Sequence, residues 1–145
     1  MNGVEIDFVV PNSLAALELY EQIFEVERIE ASDLPKGENE AVFSIYGTRF
    51  HILDENPEFQ LFAPKSDHPT TMWMNVMVPD IHATYSRAIK AGCTKLQEVV
   101  ELPNYGVSNA SFVDPYGYQW MLHQVHRVVS HEDRIENWKN RDKDE

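Results

Sequence analysis

Seven polar or bulky side chains recur at alternating positions of strand-like runs, and their chemical types suit a binding or reaction site. They comprise two acidic residues, two histidines, an amide and two large apolar residues: Glu5, Asp7, His51, Trp73, Asn75, Met121 and His123. Alternate residues of a strand share one face. Carboxylates and imidazoles can hold ions or transfer protons, whereas Trp and Met supply apolar contact area. Such a face is too polar for a core and too aromatic for ordinary surface, so we expect it to line a cavity.

The intervening residues of the same strands are apolar and predict a buried opposite face. The set is Ile6, Phe8, Val10, Phe50, Ile52, Met74, Val76, Val78, Trp120 and Leu122. A helical pattern follows the first strand of each half, with apolar stripes at Leu14, Leu17, Tyr20 and Phe24 and at Ile81, Tyr85, Ala88 and Ile89. These periodicities predict that each sheet packs its apolar face against a helix.

The two halves of the chain repeat one another. Residues 8–12 (FVVPN) resemble residues 76–80 (VMVPD), and residues 46–52 (YGTRFHI) resemble residues 116–122 (YGYQWML). The first match has an offset of 68 positions and the second an offset of 70, so the second half carries a two-residue insertion. Asn12 or Ser13 can cap the first helix, Asp80 can cap the second, and Gly92 can end the second. Each half is therefore predicted to run strand–helix–strand–strand–strand.

This order predicts an α+β fold of two βαβββ modules that form an open, curved, mixed, barrel-like sheet around a central cavity. We assign residues 1–56 to the first module, 57–71 to a linker and 72–126 to the second module. Residues 127–145 are predicted to form a C-terminal helix, opened by Ser130, and a tail. The linker is either a plain connection or a flap over the cavity, with Phe59 and Phe62 as its apolar residues.

Charge and composition exclude several classes of function. The net charge of −12 in 145 residues disfavours nucleic acid and anionic membranes as partners. One cysteine, Cys93, permits no intrachain disulfide, and the N-terminal stretch carries no signal-peptide pattern, so we expect a cytoplasmic protein. The sequence contains no glycine-rich phosphate loop, nucleophile elbow or Cys-x-x-Cys pair.

The paired modules, the VPD entry to the second helix and the DPYG turn before the last strand resemble the vicinal oxygen chelate superfamily. That superfamily includes glyoxalase I, bleomycin-resistance proteins and extradiol dioxygenases. The ending DPYGYQWMLHQVHRVVSHEDR and the LDENPEF stretch after His51 are most similar to its PhnB-like branch. The resemblance covers residues 4 to about 135.

The resemblance implies a divalent metal, such as Zn, Ni, Fe or Mn, held by one ligand from the first and last strand of each module. Those positions fall on Glu5, His51, Trp73 and Met121. Only Glu5 and His51 are suitable ligands, so the implied metal site is half erased. His123 could restore it as part of a Glu5–His51–His123 triad. The alternative is that both histidines are hydrogen-bonded cavity residues and that Glu5 is a solvated strand carboxylate.

Two functions stay open at this point. The first is a metal-independent binder of a small organic molecule. Trp73, Met121 and either Phe59 or Tyr105 would give apolar contact, and Glu5, Asn75 and His123 would orient polar groups. Its acidic wall favours a ligand that is cationic or rich in hydrogen-bond donors. The second is a metal-dependent lyase, isomerase or dioxygenase, with Glu5 and His51 as metal ligands and catalytic residues, Glu5 being a candidate general base. The resemblance also implies a homodimer. Residues 135–138 either form a contact in that dimer or cap the core of their own chain.

Overall fold

The computed structural model describes residues 2–65 and 70–143, and it contains eight strands and three α-helices. The first half comprises β1 (Ile6–Val10), α1 (Ser13–Ile23), β2 (Val26–Ala31), β3 (Glu40–Ile45) and β4 (Thr48–Asp54). The second half comprises β5 (Met74–Met77), α2 (Ile81–Lys90), β6 (Thr94–Leu102), β7 (Val107–Val113) and β8 (Gln119–Val125). The third helix, α3 (His131–Lys139), follows. The predicted order of elements is confirmed.

The strands form two four-stranded mixed sheets with the same topology. Their orders are β1-β4-β3-β2 and β5-β8-β7-β6, and the sheets are curved without closing into a barrel. In each sheet the first strand runs parallel to the last, with Ile6 beside Phe50 in the first sheet and Met74 beside Trp120 in the second. These pairs are related by the sequence offsets of 68 and 70, so the repeat extends to strand register.

The repeat also extends to the helix N-termini. The side chain of Asn12 accepts a hydrogen bond from Ala15 N, and that of Asp80 accepts one from Ala83 N. A residue at the end of the last strand reinforces each cap, since Asp54 accepts from Ser13 N at 2.7 Å and Gln124 accepts from Ile81 N at 2.9 Å. Because the first backbone N–H groups of a helix lack partners within it, these side chains fix where each helix begins.

The apolar faces of both sheets and the two helices share one core. Trp120 of the second module packs against Tyr20, Phe24 and Phe50 of the first. Asp114, at the start of the DPYG turn, is 4% exposed and accepts hydrogen bonds from the Tyr20 hydroxyl and the Trp120 indole. Burial raises its pKa. The turn therefore ties the second sheet to the helix of the first module.

The remaining segments lie at the surface. Residues 66–69 of the predicted linker, including His68, are outside the described ranges. Phe59 and Phe62 are exposed, as are Ile135 and Trp138 of α3, so α3 does not cap the core. Ser130 caps α3 through a hydrogen bond from Asp133 N, as predicted. None of the helices in the described part of the chain is long and apolar enough to cross a membrane.

Candidate functional site

The face of the first sheet opposite the helix carries a compact group of Glu5, Asp7 and His51, which we call the acidic cluster. Asp7 lies beside His51 in the parallel register of β1 and β4, and Glu5 lies two residues before Asp7. The His51 Nδ1 atom is 3.2 Å from Glu5 Oε1 and 3.2 Å from Asp7 Oδ2. On its other side, His51 Nε2 is 3.6 Å from the Glu40 carboxylate. One imidazole is thus flanked by three carboxylates.

Arg49 pairs with Glu5 and changes the electrostatics of the acidic cluster. Its guanidinium donates a hydrogen bond to Glu5 Oε2, and this bond lowers the pKa of Glu5. Asp7 behaves in the opposite way, because burial and the neighbouring Glu5 raise its pKa. A permanent cation therefore already neutralises one of the carboxylates that a metal ion would use.

The residues present do not build the four-ligand metal site that the resemblance implies. Two of its positions carry Trp73 and Met121, which are not ligands for hard divalent ions. Glu5, Asp7 and His51 do offer three ligand atoms within 4.8 Å of one another, all from the first sheet. A cation bound there would share Glu5 with Arg49, which pairs with Oε2 while Oε1 faces His51.

The corresponding face of the second sheet is uncharged. Two rows of neighbouring residues cross it, and we call them together the neutral face. The first row runs Met77, His123, Asn109 and Val100, and the second runs Asn75, Met121, Ser111 and Gln97. Burial lowers the pKa of His123, so its imidazole is neutral at pH 7. The two modules share a backbone plan but present opposite chemistries on their exposed sheet faces.

Two polar atoms of the neutral face are buried without a hydrogen-bond partner. They are Oδ1 of Asn109 and Nδ1 of His123. The two residues lie directly opposite each other in the antiparallel register of β7 and β8. Nε2 of His51 and the hydroxyl of Tyr85 are also buried without a partner among the described residues, but these two are not neighbours in a strand register. Since buried polar atoms are nearly always paired in folded proteins, the adjacent Asn109 and His123 atoms mark a place where a water molecule or a ligand can bind.

A pocket adjoins the neutral face where β5 approaches the first module. Its volume is about 410 Å³, and its lining includes Trp73, Asn75, Met77 and Tyr46. Trp73 is 50% exposed, so its ring is free to contact a ligand. Tyr46 has a φ of 47°, a left-handed conformation that costs a non-glycine residue roughly 1–2 kcal/mol. Tyr46 and Gly47 form the two-residue turn between β3 and β4, and a positive φ at both positions is the ordinary geometry of such a hairpin.

A second pocket of about 350 Å³ shares Ile6, Met72 and Met74 with the first and includes Asp7 in its lining. Neither pocket has His51, Met121 or His123 among its described lining residues. The structure thus brings the predicted site residues together as two groups. One is Glu5, Asp7 and His51; the other is Asn75, Met121 and His123 with Trp73 beside them.

Sequence reasoning missed Arg49, Glu40 and Asn109, and it missed the possible ligand role of Asp7. Asp7 was placed on the correct face but was not counted as a ligand, although its position beside His51 follows from the parallel register. Arg49 and Glu40 lie in or beside strand-like runs, and neither of them was assigned a role in the site from the sequence. Asn109 had no signal in the sequence, because its neighbour His123 is set by the pairing of β7 with β8.

Away from these groups, Ser108 and His126 form a hydrogen-bonded pair, with 2.8 Å between Ser108 Oγ and His126 Nε2. Such a pair is the arrangement of a serine nucleophile and its base. Ser108 is 1% exposed, so its hydroxyl cannot reach a substrate. Cys93 is also buried, which raises its pKa to about 12. Both groups therefore have structural roles.

Comparison with solved structures identifies the fold. The fosfomycin resistance protein FosX from Listeria monocytogenes aligns over 92% of this chain and 98% of its own, with a TM-score of 0.66 and 15% identity. The chain has the same fold. A glyoxalase/bleomycin resistance protein/dioxygenase family enzyme from Burkholderia phytofirmans has a TM-score of 0.64 and 17% identity over 83% of this chain and 96% of its own. A PhnB protein from Bacillus cereus has a TM-score of 0.63 and 17% identity over 86% of this chain and all of its own.

Sequence comparison adds distant relatives. An uncharacterized protein of Mycobacterium bovis is 27% identical over 129 residues, which are 84% of this chain and 82% of that protein. One of Mycobacterium tuberculosis is 27% identical over the same share of this chain and 74% of its own length. No family model matches the chain.

Proposed function

We propose that the protein binds a small, uncharged organic molecule at the neutral face and its adjoining pocket, without a metal ion. In this proposal it is a glyoxalase/bleomycin-resistance-like protein of the vicinal oxygen chelate superfamily, in the PhnB-like branch. The likeness of fold supports the superfamily. The observation that carries the binding proposal is the uncharged patch of Asn75, Met121 and His123 beside a pocket of about 410 Å³ with a half-exposed Trp73.

The roles of the residues follow from their chemistry. Trp73 gives a flat apolar surface on which a ring can stack, and Met77 and Met121 adapt to the shape of a ligand. Asn75 and His123 supply hydrogen bonds that orient it. The eight residues of the neutral face include no carboxylate, and we therefore favour an uncharged ligand over a cationic one.

The binding proposal is tested by titrating the protein with a panel of small aromatic compounds and following the indole N–H signals by NMR. We expect shifts at the Trp73 signal and loss of binding in Trp73→Ala. Leu34→Ala is the control, because Leu34 is a large apolar residue of similar exposure that is absent from the described lining of both pockets. Equal losses in both variants, or no effect of Trp73→Ala, would count against the proposal.

A metal-dependent enzyme is the second candidate, and the three ligand atoms of the acidic cluster are the observation that favours it. The Listeria protein has been solved with Mn(II), which is a property of that protein. Metal analysis of protein purified without a histidine tag separates the candidates. One tightly bound divalent ion per chain, lost in His51→Ala, would support the enzyme. Protein whose ligand binding is unchanged by chelator supports the metal-independent binder.

We also propose that the protein is a homodimer. The exposed Ile135 and Trp138 of α3, 41% and 59% accessible, are candidate contact residues. Sedimentation at micromolar concentration is expected to give the mass of two chains, and Trp138→Ala is expected to shift the equilibrium towards the monomer. A single-chain mass for the unaltered protein would refute the dimer.

A further inference from the structure

Asn109 and His123 stand side by side on the neutral face with unmet hydrogen-bonding capacity. Residues directly opposite each other in an antiparallel pair have Cβ atoms about 5 Å apart, and this register joins these two. Both Asn109 Oδ1 and His123 Nδ1 are shielded from water and lack partners. Leaving such atoms unpaired costs stability that nothing else in their surroundings repays. A ligand that reaches both atoms would recover that free energy.

The chemistry of the pair restricts what such a ligand can be. The Asn109 amide presents either its oxygen or its nitrogen when it turns over, and the Nδ1 atom of a neutral imidazole donates or accepts according to its tautomer. A carboxamide or lactam carries a donor and an acceptor on the same carbon atom. It can therefore match the pair when one of the two side-chain atoms donates and the other accepts. A ligand group that has only donors or only acceptors can bond to both atoms in fewer combinations of amide orientation and imidazole tautomer.

The lack of charged residues on the neutral face narrows the class of ligand further. The eight residues of the neutral face include no carboxylate, lysine or arginine. A carboxylate ligand would therefore lose its hydration without gaining a cation, and an amidinium would lose its hydration without gaining an anion. Burial also keeps His123 neutral, through its lowered pKa. The amide is the uncharged member of this isosteric series.

Methionines connect the polar pair to the pocket. Met77 lies beside His123 in the register of β5 and β8, and it also lines the pocket that contains Trp73. Met121 precedes His123 by two residues on the same face. Because methionine side chains are flexible, they can move aside to admit a group to the two shielded atoms. A ligand with an amide at one end and a ring at the other would span from Asn109 to Trp73.

We propose that the neutral face recognises an uncharged carboxamide or lactam through Asn109 and His123, with an attached apolar or aromatic ring held against Met77 and Trp73. This inference rests on the proposed function, because it names the ligand class of the same site. It goes beyond it by assigning Asn109 as the residue that selects the polar group.

The test uses benzamide, benzoate and benzamidine, which share a ring and differ in the charge of one planar group. Each is titrated into the full-length protein at pH 7 and followed by NMR. We expect benzamide to bind at least about tenfold more tightly than either charged analogue, since the latter leave a charge unpaired on the neutral face. Benzamide is too short to span from Asn109 to Trp73, so it should shift the side-chain amide signal of Asn109 and the methyl signal of the neighbouring Met77.

Asn109→Leu separates recognition from structural support. Leu has a similar size and removes the unpaired oxygen, so the variant should be at least as stable in urea as the unaltered protein. It should nevertheless bind benzamide about tenfold more weakly, with little change for toluene, which lacks the amide. Met77→Ala is the contrasting variant, because Met77 lies beside His123 and its loss should weaken both probes.

The outcomes distinguish this inference from the proposed function. If benzamide and toluene bind alike and Asn109→Leu changes neither affinity, the amide assignment is wrong while binding at Trp73 stands. Loss of folding stability in Asn109→Leu would show a structural role and would also overturn the assignment, as would tighter binding of benzoate or benzamidine. If no member of the wider aromatic panel shifts the Trp73 signal, the proposed function itself fails.

Discussion

Asp54→Asn is expected to reduce the free energy of unfolding by about 3 kcal/mol. The two oxygens of Asp54 accept from four donors: Ser13 N and Ser13 Oγ at 2.7 Å each, Gly37 N at 2.8 Å and Asn39 N at 3.2 Å. An amide has one oxygen, so in either orientation its NH₂ group faces two donors. Each buried donor left unpaired costs roughly 1–3 kcal/mol, and the two together give the expected loss.

The free energy of unfolding lost in Asp54→Asn should depend on pH in a defined direction. Burial alone would raise the pKa of Asp54, but the donors from Ser13, Gly37 and Asn39 outweigh it and lower the pKa below 3.8. For a carboxyl with a lowered folded-state pKa, the stabilisation is present above the unfolded-state pKa and is lost as pH falls through the folded-state value. The difference between the unaltered protein and Asp54→Asn should therefore shrink below about pH 4.

Urea unfolding followed by circular dichroism measures this difference at pH 7 and at lower pH. The matched control is Gln124→Ala, at the equivalent position of the second repeat. Gln124 accepts one hydrogen bond, from Ile81 N, so its loss should cost only about 1 kcal/mol. A cost for Asp54→Asn below about 1 kcal/mol, or a difference that grows as pH falls, would refute this reasoning.

Two further predictions concern the backbone and the thiol. Gly106→Ala should cost about 3 kcal/mol or more, because an added Cβ would lie 2.4 Å from Arg127 O, whereas Gly47→Ala, with open space around it, should cost only roughly 1–2 kcal/mol for its positive φ. Similar urea midpoints for the two variants would contradict this explanation. Cys93 should not react with a thiol reagent at pH 7 until the protein unfolds, because burial raises its pKa to about 12; rapid labelling of the folded protein would show that the thiol is accessible.

Strand alternation and the internal repeat predicted much of the fold. The apolar positions Phe8, Phe50, Val76 and Trp120 are buried, and the polar positions that alternate with them lie on the opposite faces. These predictions succeeded because a period of two residues leaves no choice of face once one position is known to be buried.

Helix orientation was harder to predict than strand faces. The stripe predicted for α2 included Ile89, but the helix buries Ile81, Thr84 and Ala88 and leaves Ile89 39% exposed. Thr84 is tolerated in the core because its hydroxyl bonds to Asp80 O at 3.2 Å. The rotation of a helix depends on its packing partners, which the sequence does not identify locally.

The candidate site was predictable only within each strand. Glu5, Asp7 and His51 share a face by alternation, whereas the meeting of Asn109 with His123 depends on how β7 and β8 align. Irregular pairing between Lys95 and Val100 likewise decides that Val100, rather than a neighbour, lies beside Asn109. A bulge shifts register by one residue and therefore changes which side chain shares a face.

The most direct test of the account is a residue-by-residue NMR map of benzamide binding, recorded with chelator and again with added Zn²⁺. We predict shifts centred on Met77, Met121 and Asn109, with the same affinity in both conditions. Shifts centred on Asp7 and His51, or binding that requires the metal ion, would contradict the claim that the neutral face is the binding site.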